Sequence, residues 1–257
     1  MAEGPVLRHE PRGWRKIVPQ PLRLMWRQMP LLFSYPKNRI EEEAVDYDAY
    51  WQEKRGADVG ALSPFQLARA NEVCELIEPN SSVLDIGCGD GAILKHLKKE
   101  LNIEAWGVDQ SSLALKSAKG AKVQTIQTDL NETEAVKQLP EVDYITALEV
   151  LEHVPSPEAL LRALAPKCKK AFIVSVPNSG YWLYRLRLLC GRMPAQWRRH
   201  PGEHLRFWTL KDIRWWVRAM GWNLECLRCY EGLNGLNKLL PSWCAMGMVL
   251  KIKPGVE

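Results

Sequence analysis

Two carboxylates and one imidazole stand within five residues of each other, at Glu149, Glu152 and His153, directly after an apolar run at 142–148. On a helical turn, side chains at spacings i, i+3 and i+4 project from one side. Such a trio can hold a hard divalent cation such as Mg2+, or place a histidine of ordinary pKa near ~6.5 as a general base. We expect His153 to be the leading base, with Glu149 and Glu152 in support. The alternative is two solvated glutamates beside a loop-facing histidine without metal.

A second group of residues suits a nucleotide ligand. Gly87, Gly89 and Gly91 alternate directly after an apolar run and before a helical pattern. Glycines let the backbone turn tightly and let a ligand approach the positive end of a helix. Asp109 follows 18 residues after Gly91, at the end of the next apolar run, where a carboxylate can accept both hydroxyls of a ribose. A dinucleotide site would need a G-x-G-x-x-G frame, which this sequence lacks in register.

These residues fall at the ends of short apolar runs that alternate with helical patterns. Runs rich in β-branched residues predict seven strands, at 82–86, 103–109, 122–128, 142–148, 171–176, 223–230 and 245–252. Helical patterns of about ten residues lie between the first five. The alternation predicts right-handed βαβ units, and therefore an α/β fold with a doubly wound, mostly parallel, seven-stranded Rossmann-like sheet and helices on both faces.

The chain has 257 residues, 46% of them hydrophobic and 25% charged, which suits one globular domain with a full core. Six prolines among the first 40 residues, with basic and aromatic residues between them, predict an N-terminal arm at 1–61. The domain proper is then 62–257, with an irregular insert at about 177–208. After the insert, Thr209 and Asp212 predict a capped helix that ends at Gly221.

Charge is distributed unevenly along the chain. The net charge of +5 divides into +6 for residues 1–40, −9 for 41–180, +7 for 181–230 and +1 for 231–257. Nine of the eleven tryptophans lie outside the acidic middle segment. Mixed Arg and Trp suit an anionic membrane surface or a phosphate-bearing acceptor.

A third interpretation is that the tryptophans pack in the core while the arginines are solvated. For residues 7–39 we favour contact with an anionic membrane. For the helix after Thr209 we favour packing, with Trp215, Trp216 and Trp222 filling the core. Nucleic acid is the least favoured partner because no RNA-binding module accompanies the basic residues.

The cysteines and the apolar runs indicate a compartment. Seven cysteines without framework-like spacing suit a reducing, cytosolic setting. No uncharged apolar run approaches the ~18–20 residues of a membrane span. Arg23 and Arg27 interrupt the apolar residues near the N-terminus, which argues against a signal peptide. We expect a cytoplasmic protein with no transmembrane span, whose arm can contact a membrane.

The order and spacing of the strand ends resemble class I S-adenosylmethionine-dependent methyltransferases over about residues 62–220. The resemblance implies S-adenosyl-L-methionine as cofactor, with binding positions that follow four successive strands. These are Asp85, Gly87, Cys88 and Gly89 for the methionine portion, Asp109 and Gln110 for the ribose, Asp129 and Leu130 for the adenine side, and Leu148 through its backbone.

The E-x-x-E-H run is similar to that of ubiquinone-pathway O-methyltransferases, where it is associated with a metal that orients the acceptor hydroxyl. It also resembles the metal site of small-RNA 2′-O-methyltransferases, which add a downstream histidine. That resemblance implies a metal site at Glu149, Glu152 and His153, completed by His204 or His200. The implied activity is O-methylation of a small-molecule, glycan or lipid-linked acceptor, with RNA 2′-O-methylation as an alternative.

A second resemblance concerns the start of the insert. Residues 177–182 and 191–194, together with His204, resemble the corresponding stretch of MetW-like proteins. The sequence departs from that group in having Glu149, Glu152 and His153. This resemblance implies another alternative from a different class, a non-catalytic cofactor-binding protein that regulates a partner enzyme.

Overall fold

The computed structural model describes residues 11, 14–35, 60–120, 122–196 and 201–255. A sheet of seven strands forms its centre: β1 (Ser82–Ile86), β2 (Glu104–Asp109), β3 (Gln124–Gln127), β4 (Val142–Leu148), β5 (Cys168–Pro177), β6 (Asn223–Gly232) and β7 (Ala245–Lys253). Their order across the sheet is β3-β2-β1-β4-β5-β7-β6. The first five strands pair in parallel, while β7 is antiparallel to both β5 and β6. The expected mostly parallel, seven-stranded α/β sheet is therefore confirmed.

Helices connect and cover the strands. They are α1 (Trp14–Ile17), α2 (Gln20–Gln28), α3 (Pro64–Cys74), α4 (Ala92–Leu101), α5 (Ser112–Gly120), α6 (Thr133–Lys137), α7 (Pro157–Leu164), α8 (Trp182–Leu189), α9 (Leu210–Ala219), α10 (Leu236–Leu239) and α11 (Pro241–Cys244). Successive strand residues point to opposite faces, so Val83 packs with one hydrophobic cluster and Leu84 with another. Both faces of the sheet are buried, as a parallel sheet requires.

The helix after the insert begins where its capping residues predict. Thr209 accepts hydrogen bonds from the backbone N–H groups of Lys211 and Asp212, and the Asp212 carboxylate accepts from the N–H of Thr209. The expectation that Trp215 fills the core is wrong, because this residue is 68% exposed. The helical period turns Trp216 inward, and Trp215 therefore faces away from the sheet.

The predicted insert is less irregular than expected, because it contains helix α8. The two ends of the insert meet. Asn178 forms a parallel bridge with Trp208, and Ser179 donates its backbone N–H to the Trp208 carbonyl at 2.9 Å. The chain therefore leaves the end of β5 and returns to the same place about thirty residues later.

The described part of the N-terminal arm packs on helix α8. Leu32 is buried together with Tyr181, Trp182 and Leu183 in a third hydrophobic cluster. Arg187 of α8 is 1% exposed, and its guanidinium donates to the carbonyl oxygens of Leu31, Leu32 and Ser34. In the part of the chain that the structure describes, no helix has the length and apolar character needed to cross a membrane.

Candidate active site at the carboxyl edge of the sheet

The residues singled out in the sequence meet where the parallel strands end. Because β1, β2, β4 and β5 are parallel, their carboxyl ends lie along one edge of the sheet, which is where α/β folds bind ligands. The glycine turn follows β1, Asp109 ends β2, and the acid and histidine run follows β4.

Two glycines of the turn are required by close packing as well as by backbone angles. Gly87 and Gly91 have φ of 69° and 73°. A Cβ on Gly87 would lie 2.6 Å from Cγ2 of Val150, and one on Gly91 would lie 2.8 Å from Cβ of Ala118. The turn after β1 thus lies directly against the segment that follows β4, with no room for a side chain between them.

Asp109 connects the glycine turn to the end of β2. Its Oδ2 accepts from the backbone N–H of Gly89 at 2.8 Å, and its Oδ1 accepts from the N–H of Ser111 at 2.9 Å. The side chain is buried, with 8% exposure. The predicted ribose-binding acid and the glycine turn predicted for the methionine portion therefore form one unit.

Asp85 lies beneath this unit and joins two strands. Its Oδ1 accepts from the hydroxyl of Thr146 in β4 at 2.5 Å. Burial raises the pKa of Asp85 to about 7, although the Thr146 hydrogen bond and the Arg69 charge act in the opposite direction. The structure thus gives Asp85 an internal partner that links β1 to β4.

The remaining predicted cofactor positions lie around the same edge. The Cys88 thiol is buried, where a Cβ on Gly107 would lie 2.7 Å from its Sγ, and it donates to the Gly89 carbonyl oxygen at 3.5 Å. Gln110 is exposed and Leu148 is buried. Asp129 accepts from the backbone N–H and the side-chain amide of Asn131, and Leu130 is half-buried.

The expected helical turn with three side chains on one face does not form. Glu149 adopts a left-handed conformation with φ of 59°, and a short 3-10 turn at Leu151–His153 follows. The structure instead brings Glu152, His153 and His204 together, with one potential ligand atom from each within 4.8 Å of the others. Because Glu149 precedes the turn in a left-handed conformation, its side chain takes another direction. His200 lies outside the described residues.

Glu152 and His204 carry buried polar atoms that lack hydrogen-bond partners among the described residues. These atoms are both carboxylate oxygens of Glu152 and Nδ1 of His204. Burial, and next the Glu149 charge, raises the pKa of Glu152 well above its ordinary range. Burial, and next His153, lowers the pKa of His204 to about 4, so this ring is neutral at pH 7. Buried oxygens and a neutral imidazole without partners fit a divalent cation.

Backbone contacts set the position of both histidines. Nδ1 of His153 lies 2.5 Å from the carbonyl oxygen of Glu203, which can only accept a hydrogen bond. The carbonyl oxygen of Glu152 accepts from the N–H groups of Leu205 at 2.7 Å and Arg206 at 3.2 Å. The end of the insert is thus attached to the turn after β4, and the two imidazole rings lie edge to face with centroids 4.7 Å apart.

Glu149 contacts a different set of groups. Its Oε1 accepts from the Ser175 hydroxyl at 3.1 Å and the Tyr230 hydroxyl at 3.2 Å, and lies 3.4 Å from Nη1 of Arg69. Burial alone would lower the pKa of Arg69, but Tyr230, Glu149 and Glu152 raise it above its ordinary value. The structure therefore holds the Glu149 carboxylate beside the buried guanidinium of Arg69.

Sequence reasoning missed Arg69, Thr146, Ser175 and Tyr230. They lie in elements that are distant in sequence from the turns they support, and none belongs to a local motif. Two weak signals were present. Arg69 interrupts an apolar helical face, and Gly247 interrupts a β-branched strand opposite Tyr230.

Comparisons with known proteins show the family of this chain. A family model described as a methyltransferase domain matches residues 50–227. The ubiquinone biosynthesis O-methyltransferase of Bordetella avium is 32% identical over 115 residues, 42% of this chain and 46% of that protein. The protein of the same name in Xanthomonas euvesicatoria is 32% identical over 173 residues, 64% of this chain and 71% of that protein. The chain thus spans about half the length of the Bordetella relative.

A solved structure has the same fold at low sequence identity. The S-adenosylmethionine-dependent methyltransferase from Archaeoglobus fulgidus has a TM-score of 0.57 and 20% identity, and the match covers 80% of this chain and 100% of that one. The family model covers well over half of the chain. The chain therefore belongs to the methyltransferase-domain family, with the fold of the class I S-adenosylmethionine-dependent methyltransferases.

Proposed function

We propose that the protein transfers a methyl group from S-adenosyl-L-methionine to an oxygen of a small-molecule acceptor. One observation carries this proposal. The glycine turn lies against Val150, two residues before Glu152, so the predicted cofactor site and the cluster of Glu152, His153 and His204 adjoin at one sheet edge. A methyl donor in the first site would face an acceptor beside the second. The curated relatives, named as O-methyltransferases, support the choice of oxygen.

The residues of the chain would bind the cofactor, orient the acceptor and remove the proton from the acceptor hydroxyl. S-adenosyl-L-methionine supplies a methyl carbon on a sulfonium; the acceptor oxygen forms a bond to that carbon as the carbon–sulfur bond breaks, which leaves S-adenosylhomocysteine. Asp109 and the glycine turn would hold the nucleoside and methionine portions, and the hydrogen bond from Gly89 to Asp109 supports this by placing the acid beside the turn. His153 would accept the acceptor proton at Nε2, because its Nδ1 faces a carbonyl oxygen.

A divalent cation such as Mg2+ fits the same cluster. Glu152, His153 and His204 would hold it, and the unpartnered buried oxygens of Glu152 support this assignment. Because Nδ1 of His153 faces the Glu203 carbonyl, the cation would use Nε2 and would replace His153 as the group that activates the acceptor hydroxyl. A bound cation would lower the pKa of the acceptor hydroxyl and orient it toward the methyl group. Glu149 lies outside this group of three.

We further propose that the N-terminal arm contacts an anionic membrane from the cytoplasmic side. Residues 14–35 include four basic residues and no acidic one. Ile17, Leu22 and Phe33 are exposed by 84%, 55% and 62%. Exposed apolar side chains among cations suit an anionic lipid surface. The cysteine thiols, all seven free, suit the reducing cytoplasm. A lipid-linked acceptor is compatible with this location.

Isothermal titration with S-adenosyl-L-methionine tests the central proposal. We expect saturable binding, and an absence of heat up to millimolar ligand would contradict it. Binding without turnover on any acceptor class would favour a regulatory role instead. For the arm, vesicles of phosphatidylglycerol should retain the protein in a sedimentation assay more than vesicles of phosphatidylcholine. Two outcomes would contradict membrane contact. One is equal retention on both kinds of vesicle, and the other is that Leu22→Glu together with Phe33→Glu does not reduce retention on phosphatidylglycerol vesicles.

A further inference from the structure

The connection between β6 and β7 buries a polar side chain and exposes apolar ones. The connection consists of α10 and α11, and its base is closed where Leu233 donates its backbone N–H to the Cys244 carbonyl at 2.9 Å. Asn237 is 8% exposed and donates its side-chain amide to the carbonyl oxygen of Glu231 at 3.2 Å. Large apolar side chains are normally the buried ones. Here four of them are exposed on the two short helices, namely Leu236, Leu239, Leu240 and Trp243.

Helix α8 lies against this connection and continues its apolar surface. The Arg185 guanidinium lies over the Trp243 ring, 4.4 Å from its centroid, and donates to the Ser242 hydroxyl at 3.1 Å. In the last turn of α8, Leu188 and Leu189 are exposed, and Leu189 reaches 82%. The end of α8 and the β6–β7 connection thus expose apolar side chains side by side. We call this set the leucine surface: Leu188, Leu189, Leu236, Leu239, Leu240 and Trp243.

The N-terminal arm adjoins α8 on another side. Arg192, just beyond the end of α8, lies over the rings of Phe33 and Tyr35, at 5.9 and 5.3 Å from their centroids. It also donates to the Phe33 carbonyl at 3.1 Å. Both rings are exposed. Three segments that are distant in sequence therefore form adjoining parts of one exposed apolar area.

The charges around the leucine surface have one sign. Residues 181–196 contain three arginines and no acidic residue, and residues 232–243 contain Lys238 and no acidic residue. Arg187 is buried beneath the arm, which leaves Arg185, Arg192 and Lys238 near the surface. A contiguous exposed apolar patch of this kind marks an interaction site. Cations without nearby acids in these segments favour an anionic partner, and an anionic bilayer offers both phosphates and an apolar interior.

The leucine surface lies at the same edge of the sheet as the candidate active site. Strand β7 is antiparallel to β5, and Gly247, near its start, pairs with Pro177 at the end of β5. Helix α8 also follows directly after the end of β5. A partner bound to the leucine surface would therefore face the edge where the parallel strands end.

We propose that the leucine surface inserts into the interface of an anionic phospholipid bilayer, with Arg185, Arg192 and Lys238 at the level of the headgroups. This inference rests on the membrane association proposed above, and it names the residues of the folded domain that enter the bilayer. The active-site edge of the sheet is then turned toward the membrane. The arm lies beside the inserted residues as a second contact.

Vesicle binding by the full chain tests the leucine surface. Leu189→Ser together with Leu239→Ser removes two exposed leucines, and its partition onto phosphatidylglycerol vesicles in a sedimentation assay should fall at least about tenfold, since burial of each leucine favours binding. Trp215→Ala is the matched control. It removes an apolar side chain that is 68% exposed on α9, which packs on a different hydrophobic cluster from α8. Its partition should match that of the parent.

Fluorescence quenching gives a direct measure of insertion. Phosphatidylglycerol with brominated acyl chains quenches indole rings that reach the apolar part of the bilayer. Trp243→Phe retains an aromatic ring beside Arg185, and the quenched fraction of its emission should be smaller than that of the parent. An unchanged quenched fraction would overturn the insertion of Trp243.

Comparison with the arm variant separates the two membrane contacts. If Leu189→Ser with Leu239→Ser binds vesicles like the parent while Leu22→Glu with Phe33→Glu does not, the leucine surface is excluded and the arm contact stands. The reverse result supports the leucine surface and removes the arm. A parent protein that phosphatidylglycerol vesicles do not retain overturns both and leaves the methyltransferase proposal standing. A dimer in sedimentation velocity that Leu239→Ser converts to monomer would identify the surface as an interface between two copies and overturn the proposal.

Discussion

Nδ1 of His153 lies 2.5 Å from the backbone carbonyl oxygen of Glu203, fifty residues further along the chain. A carbonyl oxygen only accepts, so the proton of a neutral His153 resides on Nδ1 and the lone pair on Nε2. The end of the insert thereby fixes the tautomer of the predicted base. Either proton acceptance or cation binding would use the same ring nitrogen.

His153→Ala should leave cofactor binding unchanged but greatly slow methyl transfer. Turnover with any acceptor that the parent methylates should fall at least about 100-fold, within the usual contribution of a general base. Calorimetry should give an S-adenosyl-L-methionine affinity close to that of the parent. The control is His96→Ala, a half-buried histidine in α4 that contacts Asn71. Undiminished turnover in His153→Ala would remove this residue from the reaction.

Asp109→Asn should weaken cofactor binding. The asparagine keeps one acceptor oxygen but loses the charge and cannot accept from both Gly89 and Ser111 as well as from a ribose. A lost hydrogen bond to a charged group costs about 1.5–3 kcal/mol, so the dissociation constant should rise roughly 10- to 100-fold. Asp143→Asn, at the opposite end of β4, should leave calorimetric binding unchanged. Equal affinities for parent and Asp109→Asn would exclude the ribose-binding role.

Asp85 should make the unliganded protein less stable as the pH rises from about 4 to about 7. Over this range the unfolded chain releases the proton, whereas the buried carboxyl with a pKa of about 7 keeps it, so the free energy of unfolding falls. Asp85→Asn retains the acceptor for Thr146 without a charge. At pH 8 it should be the more stable protein by up to about 4 kcal/mol, and at pH 4 the two should differ little. Urea denaturation at both pH values provides the measurement, and a constant difference would contradict the assignment.

Arg187→Met should loosen the N-terminal arm. The substitution leaves the carbonyl oxygens of Leu31, Leu32 and Ser34 without their buried donor, which should cost about 2–3 kcal/mol. Limited proteolysis should then cleave the arm faster while the sheet stays protected. Arg218→Met, on the exposed face of α9, is the control and should behave like the parent. Equal cleavage rates would mean that packing alone retains the arm.

The two adjacent tryptophans of α9 should respond differently to truncation. Trp216→Ala should cost about 3–5 kcal/mol, because the ring is 6% exposed and its Nε1 donates to Glu158 at 2.5 Å. Trp215→Ala should change the free energy of unfolding by less than about 0.5 kcal/mol. Chemical denaturation of the two variants distinguishes them, and comparable losses would contradict the orientation of the helix.

Most of the fold was predictable because its signals are local. Apolar β-branched runs predicted all seven strands, and Thr209 with Asp212 predicted the start of α9. The insert was the exception, since the mixture of Arg, Leu and aromatic residues in α8 has no clean apolar period. The burial of Arg187 within it depends on carbonyl groups of the arm, more than 150 residues away.

The site was predictable only in part. Strand-end acids and alternating glycines have fixed local spacing, and the structure places Asp109 and Gly89 in direct contact. The direction of Glu149 could not be read from its spacing to Glu152, because a left-handed residue breaks the helical period that the prediction assumed. Its partners Arg69 and Tyr230 come from opposite ends of the domain, and only tertiary structure brings them together.

Because the two ends of the insert meet at Asn178 and Trp208, the segment between them can change in length without moving the strands that it connects. Since both ends emerge at one point, the closure entropy of the loop changes only slowly with its length, by about 0.6 kcal/mol per doubling. Insertions or deletions between these anchors could thus remodel the surroundings of the acceptor while the strands, the glycine turn and Asp109 stay in register. We expect homologues to diverge in acceptor preference mainly by length variation in this segment.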